Sequence, residues 1–421
     1  MRLGELLGQV VFALLVCVVV ITPLPYGTVE AWWKAIFICA VFGICILSVL
    51  EIAITNSLRI NPPLVLLPLL ALTALAYVQS RAGISADAFQ TRFFALQLLA
   101  LTAFLALLYR YAATEQRMRL LAYAVIGVAV VSAVFGILRL TTQHETGFLL
   151  PLLKPNQGFA QFINKNHFAY LMEIAIGLVL GLSFAARSRQ NLPYLAFLAP
   201  LWVALVLSSS RGGILAMLTQ VVIATMLLFP WAKLRLALAA VLVTGVCAGT
   251  LWIGGDRLVN TFAPNETEQA VNITRENASR NEIWRATMKL FAAHPVLGAG
   301  LGGYWIAITS YHDASGVLVP QEAHNDYLEL LASGGVIGFA IGIWFVVTVV
   351  QLAKQSLWSS TGFVRALRLG AVLGLSGVAV HTLFDFGLHL LGNAVVCLTL
   401  IMMATARIDS RKVVDLTFQH Q

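Results

Sequence analysis

Hydrophobic positions in this chain come in long unbroken runs rather than in alternation. Runs near the roughly 20 apolar residues that carry a helix across a bilayer are centred near Val18, Ile44, Leu69, Leu101, Val130, Ala175, Leu201, Val221, Leu242, Phe345, Leu373 and Leu398. The pattern predicts an all-α polytopic membrane protein of about twelve transmembrane helices, with both termini on one side. Two polar intervals on the other side are long. One runs from Leu140 to Lys165; the second, from Gly254 to Ala323, exceeds a plain connection and is expected to contain structure. In "RNEIWRATMKLFAAHP" the residues Ile283, Trp284, Leu290 and Phe291 share one helical face, Arg280, Arg285 and Lys289 lie off it, and Pro295 stops the run. This predicts an amphipathic helix lying at the outer membrane surface. With no repeat and no soluble domain visible, residues 1–421 read as one transmembrane domain, with 254–323 as its long outer loop.

Composition strengthens that reading. The chain is 59% hydrophobic and 11% charged, where a soluble domain carries about a quarter charged residues. The first run, about Gly8 to Pro25, lacks a cleavage pattern and reads as a retained span. The five cysteines, Cys17, Cys39, Cys45, Cys247 and Cys397, fall inside the runs and read as small core hydrophobes. The net charge of +8 invites a nucleic-acid partner, but its distribution is plainer. Segments on the side of the N-terminus hold most Lys and Arg, from Arg110, Arg117 and Arg119 to Arg365, Arg368 and Arg407. The short loops on the opposite side hold only Lys34, Arg81, Arg92 and Arg211. Such a bias marks the cytoplasmic side, so both termini are expected inside and no nucleic acid is expected.

On that topology the unusual polar residues collect on the outer face. "NKNH" (Asn164, Asn166, His167) opens the sixth span and "SSSRGG" places Arg211 in the hairpin between the seventh and eighth. Arg280 and Arg285 lie in the long loop, His324 and Asn325 open the tenth span, and "HTLFDFGLH" carries His381, Asp385 and His389 between the last two. Ionisable groups at membrane depth are candidates for function. Structural roles compete with each. Asp326 and Glu329 fit a capping box, with Asp326 as N-cap. Gly334, Gly335 and Gly338 suit close helix packing. Asn164 and Asn166 suit capping and substrate contact equally, and Arg211 can snorkel although its wedged position favours an anion. "GAGLGG" (298–303) has no preceding strand and is not expected to bind a dinucleotide, leaving backbone N–H groups offered to an anion as the open alternative. His381, Asp385 and His389 recur every fourth residue, but Gly387 interrupts a common helix, so a carboxylate orienting a histidine is preferred to a metal site. No pair of outer-loop carboxylates shows ligand spacing, and neither metal nor cofactor is expected.

Histidine, arginines and amides suit proton removal from an attacking hydroxyl and bidentate binding of phosphate. A site facing away from cytoplasmic nucleotides suits a lipid-borne donor. Five stretches then carry a resemblance: "GFAQFINKNHFAYL", "SSSRGGILA", "RNEIWRATMKLFAAHPVLGAGLGGYW", "HNDYLELLASGGVIGF" and "HTLFDFGLHLLGNA", in that order. With them the chain resembles the O-antigen ligase and polymerase superfamily of bacterial membrane glycosyltransferases, over essentially its whole length. The resemblance implies a C-type glycosyltransferase of the inner membrane, metal-independent, with its site facing the periplasm. It implies a glycan on undecaprenyl diphosphate as donor, lipid A-core or a second glycan as acceptor, and membrane lipids around it. It implies His324 as the catalytic histidine and Arg211 and Arg280 as the two key arginines. Ser279 stands where the family usually has Gly, which leaves the choice between Arg280 and Arg285 open. Asn164, Asn166, Asn325, Asp385 and His389 complete the candidate substrate contacts. Ligation is preferred to polymerisation because no added soluble domain is seen; protein O-oligosaccharyl transfer comes next. A transporter is expected to show repeats and midplane polar groups, and neither is seen.

Overall fold

The computed structural model describes residues 2–56, 63–143, 153, 157–185, 192–228, 240–241, 243–248, 269–312 and 320–408. Described residues form helices, and no strand occurs among them; the one isolated bridge pairs Phe159 with Phe162. In chain order the helices are α1 (Arg2–Ile21), α2 (Ala31–Thr55), α3 (Leu66–Arg81), α4 (Ala88–Tyr111), α5 (Glu115–Thr142) and α6 (Lys165–Ala185). They continue as α7 (Leu192–Leu207), α8 (Arg211–Leu228), α9 (Gln269–Ala293), α10 (Asp326–Trp358), α11 (Gly362–His381) and α12 (Leu391–Thr405), with a single helical turn at Tyr304–Ala307. Seven of these, α1, α2, α4, α5, α6, α10 and α11, are long and apolar enough to cross a membrane. Shorter apolar helices cover the expected runs near Leu69, Leu201, Val221 and Leu398, whereas the run near Leu242 lies largely outside the described residues. Helix is the answer wherever hydrocarbon surrounds the chain, because every backbone N–H and C=O must find its partner within the segment.

The two most intimately packed helices are α6 and α11. Gly177 and Gly181 on α6 lie against Gly374 and Gly370 on α11, so close that an added methyl at either α6 position would meet partner backbone. This is the small-xxx-small device of membrane helices, where backbone approach replaces a hydrophobic driving force. Consequently the start of α6 and the end of α11 are held side by side.

Helix α10 is broken. Gly335 sits at φ 64 and ψ −168 within it, a combination open in practice only to glycine. The freed groups find partners in residues 295–300. Ala299 N–H donates to Ala332 O at 3.0 Å, Gly300 N–H to Ser333 O at 3.0 Å and Val336 N–H to Pro295 O at 2.9 Å. Gln79, buried at the end of α3, locks the joint. Its amide donates to Leu297 O and to Ser333 O, and its Oε1 accepts from Leu301 N–H. The "GAGLGG" loop therefore spends the N–H groups of Ala299, Gly300 and Leu301 on the protein itself, which removes the anion-loop alternative. Gly335 thus both breaks the helix and lets the backbone of residues 296–298 approach closely.

Two further expectations change. The N-cap of α10 is Asn325, whose side chain accepts from Leu328 N–H at 3.0 Å, not Asp326. Asp326 instead opens the helix, and its N–H, unpaired within α10, donates to Thr382 O at 3.0 Å. In α9 the face carrying Ile283, Ala286 and Leu290 is buried against the chain, in a cluster with Tyr304, Ile308 and Ala332. That surface is thus spent on protein packing and is not laid on a bilayer. Some basic residues also do more than report topology: Arg368 is buried and donates to Ser356 O and Ala406 O at the ends of α10 and α12.

The hinge yields a test. Gly335→Ala forces a side chain into left-handed backbone and against the Val296 carbonyl, costing about 1–3 kcal/mol or more. Thermal unfolding of the purified protein in detergent should show a clear loss, while Gly43→Ala, which meets nothing within 4 Å, should leave the midpoint level or slightly raised. Equal midpoints for both variants refute the hinge.

Candidate functional site

The site is assembled at one end of α6, α8, α10 and α11, together with the α11–α12 connection. His324 lies just before α10 at φ 51, left-handed backbone that a non-glycine residue adopts at a cost. Its neighbours are tied on both sides. Ala323 N–H donates to Glu329 Oε2 at 2.8 Å, and Ala323 O accepts from the Trp284 indole at 2.9 Å. Beyond it, Asn325 caps α10 and Asp326 N–H binds Thr382 O. The turn is over-determined, so its strain persists.

The His324 side chain, 30% exposed, reaches Asp385, which is 1% exposed: Nδ1 and Oδ1 lie 3.3 Å apart. Asp385 also accepts from the Phe386 N–H at 3.0 Å. Burial alone would raise the Asp385 carboxyl; the hydrogen bond from His324 and the nearby His167 outweigh it and hold the group at about 2. The pair is therefore an imidazole against a permanent anion. Phe386 packs its ring edge-on between His324 (4.9 Å) and His167 (4.7 Å), walling the pair on its inner side.

The hairpin bearing Arg211 is attached to the same place. Arg211 begins α8, and Ser210 donates to Asn166 Oδ1 at 2.9 Å. A methyl on Gly212 would strike the His381 ring. His381 in turn is fully buried, its Nδ1 3.0 Å from Glu173 Oε2 and its ring stacked on Tyr170 at 4.1 Å. Asn164 Oδ1 accepts from Asn166 N–H, so Asn164 caps α6. Arg280 and Arg285 lie on different sides of α9: Arg280 is half-buried, one turn before Trp284, and Arg285 is exposed.

His389 has a different environment from His324. Its Nδ1 lies 3.0 Å from Glu322 Oε2 and 3.7 Å from Glu329, and its Nε2 lies 3.4 Å from Asp326. Burial opposes its charge, but the carboxylates of Glu329, Glu322 and Asp326 outweigh burial and raise the imidazole well above its ordinary range. Glu322 responds in kind: burial would raise it, and His389 with Lys34 brings it below the usual carboxylate range. Glu322, Glu329 and His389 present ligand atoms within 4.8 Å of one another, a set that can hold a metal ion. The expectation of no acidic grouping with ligand geometry thus fails in three dimensions, because residues 322, 329 and 389 are brought together by the fold and not by spacing. His389 is one of the three, so metal binding would have to displace its proton.

Sequence reasoning found His324, Asp385, Arg211 and Asn166, which the fold brings around one end of the bundle. It missed Phe386, Trp284, Glu322 and the Glu173–His381 pair. Only Glu173 left a signal, as the one acidic residue inside the apolar run of α6.

The His389 cluster makes a pH prediction. A proton held more tightly in the folded protein stabilises fully at acidic pH and is lost as pH rises through the raised value. Wild type should therefore lose thermal stability on the alkaline side. His389→Gln should be less stable at neutral pH and lack that alkaline decline; parallel curves for the two proteins would rule out the imidazolium.

Residues 195–343 match the family model described as O-antigen ligase. The matched segment contains Arg211, Arg280, Arg285, His324 and Asn325 and ends before Asp385 and His389. No curated protein matches the chain.

Proposed function

We infer from the match of residues 195–343 to the O-antigen ligase family that the chain carries out glycosyl transfer of that general type, and from the site a specific reaction. A glycan is transferred from undecaprenyl diphosphate to an acceptor hydroxyl at the periplasmic face of the bacterial inner membrane, without a metal ion. The observation that carries this reading is His324, held on a strained turn with Nδ1 against the ionised Asp385.

Asp385 accepts a hydrogen bond from Nδ1–H, which leaves the Nε2 lone pair free to act. Nε2 removes the acceptor hydroxyl proton as the oxygen attacks the anomeric carbon. The bond from that carbon to the diphosphate oxygen breaks, undecaprenyl diphosphate leaves with the electron pair, and one displacement inverts the centre. Arg211, fixed at the start of α8, and Arg280 on the inward side of α9 hold the diphosphate as its charge develops. Asn166 braces the Arg211 hairpin through Ser210. Asn164 and Asn325 use Oδ1 as caps and have only their amide N–H groups left for substrate. His389 serves the carboxylate cluster beneath the turn, keeping Glu329 in place to bind Ala323. Both termini lie in the cytoplasm, as the Lys and Arg distribution supports. Lipid A-core is the acceptor in this reading.

The test is reconstitution with a lipid-diphosphate glycan, offered separately with lipid A-core and with a second repeat unit; transfer only to the repeat unit makes the protein a polymerase. In that assay His324→Asn is the informative variant. Asn tolerates left-handed backbone and caps helices well, so the fold survives, and turnover should fall on the order of 10²–10⁴-fold. A folded Asn variant with normal turnover sinks the base assignment.

Chelation is the second check. EDTA should leave the rate unchanged, since arginines and not a cation hold the leaving group. Loss of activity restored by Mg²⁺ or Mn²⁺ would overturn this and turn attention to Glu322, Glu329 and His389.

A further inference from the structure

Helix α9 has two faces with different fates. Ile283, Ala286, Thr287 and Leu290 are buried against the chain, and Thr287 shares a hydrogen bond of 2.6 Å with the Tyr304 hydroxyl. The opposite side lines a groove of about 700 Å³, formed by Asn281, Trp284, Arg285, Met288, Lys289 and Ala292. These six follow the helical period, so they form one continuous stripe. Apart from Trp284, which bonds Ala323 O, they are exposed. The described lining holds two cations, an amide and an aromatic ring, and no carboxylate. Neither Arg285 nor Lys289 makes an ion pair among the described residues.

One edge of this groove touches the reacting centre. The Trp284 indole N–H donates to Ala323 O at 2.9 Å, and Ala323 immediately precedes His324. A molecule lying along the stripe therefore ends beside the histidine. Arg280, half-buried, lies about 40° from Trp284 on the side of the buried face, and Arg285, exposed, about 100° on the other side of it.

We propose that this stripe is the acceptor subsite, and that it selects an acceptor saccharide bearing an anionic group. Arg285 and Lys289 bind the phosphate or carboxylate, Trp284 lies against the sugar, and the attacking hydroxyl is delivered to His324. This rests on the transfer reaction proposed above and adds the class of acceptor. It also takes Arg285 away from the donor diphosphate and makes it a specificity residue.

The experiment measures binding and turnover separately, with the full-length protein in nanodiscs of neutral phospholipid. The probes are lipid A-core carrying its phosphates and the same lipid after phosphatase treatment. Wild type should bind the phosphorylated probe at least about tenfold more tightly. Arg285→Glu with Lys289→Glu should abolish that preference and raise the acceptor KM, while the donor KM stays unchanged. Equal binding of both probes by wild type overturns the proposal, as does a rise in donor KM, which would return Arg285 to the diphosphate. A second series adds phosphatidylglycerol to the nanodiscs. If the double variant loses only its sensitivity to that lipid and keeps the probe preference, the stripe is a membrane-contact face and the proposal is wrong. Absence of turnover with every lipid-diphosphate donor would sink the transfer reaction, while the binding comparison would still decide the subsite.

Discussion

Everything at the reactive end depends on the backbone contact between α6 and α11. Four glycines, Gly177, Gly181, Gly370 and Gly374, let the helices touch main chain to main chain. Lipid offers no hydrophobic reward for bringing apolar helices together, so close van der Waals fit has to do it. The crossing fixes the first residues of α6 beside the last of α11. From those ends come His167 and Asn166 on one side and His381, Thr382, Asp385 and Phe386 on the other. Thr382 then holds Asp326, and Asn166 holds Ser210. The two segments that carry His324 and Arg211 are thereby fastened to one rigid pair.

Around that frame charge is kept in small closed groups. Asp385 faces His324; Glu173 faces His381; Glu322, Asp326 and Glu329 share His389. Each carboxylate removed from water has an imidazole beside it, as the cost of an isolated buried charge demands. The three groups differ in access. The first has a partly exposed histidine, the second is sealed, and the third lies under the His324 turn, where Glu329 restrains Ala323. The contrast explains why these three histidines crowd one end of the molecule without being interchangeable.

Much of the helical frame was legible in the sequence, because a span length of apolar residues has few solutions in a bilayer. The site was legible in part, since polar residues at span ends are costly enough to stand out: Arg211, His324 and Asp385 all did. What escaped depends on contacts far apart in sequence. Gly335 looks like any packing glycine until residues 295–300 are seen to satisfy the broken turn. Asp326 N–H is met by the carbonyl of Thr382, just past α11, while Asn325 caps the helix. The apolar face of α9 reads equally as a membrane face or a docking face, and Tyr304 and Ile308 decide it. Glu322, Glu329 and His389 form a group no spacing rule reveals. The α9 arginines could not be separated by motif; in the fold Arg280 is half-buried and Arg285 exposed.

The break in α10 has a consequence for how the chain is assembled. Its free carbonyls at Ala332 and Ser333 are met by residues 299 and 300 and by Gln79, which precedes them by more than 200 positions. During synthesis α3 enters the membrane long before α10 is made, so Gln79 must wait for its partners. The bonds that satisfy the break therefore join segments far apart in the sequence, and a contact of such long range closes a large loop, which is costly in chain entropy. The kink of α10 is in this sense a product of the whole fold and not of its own helix.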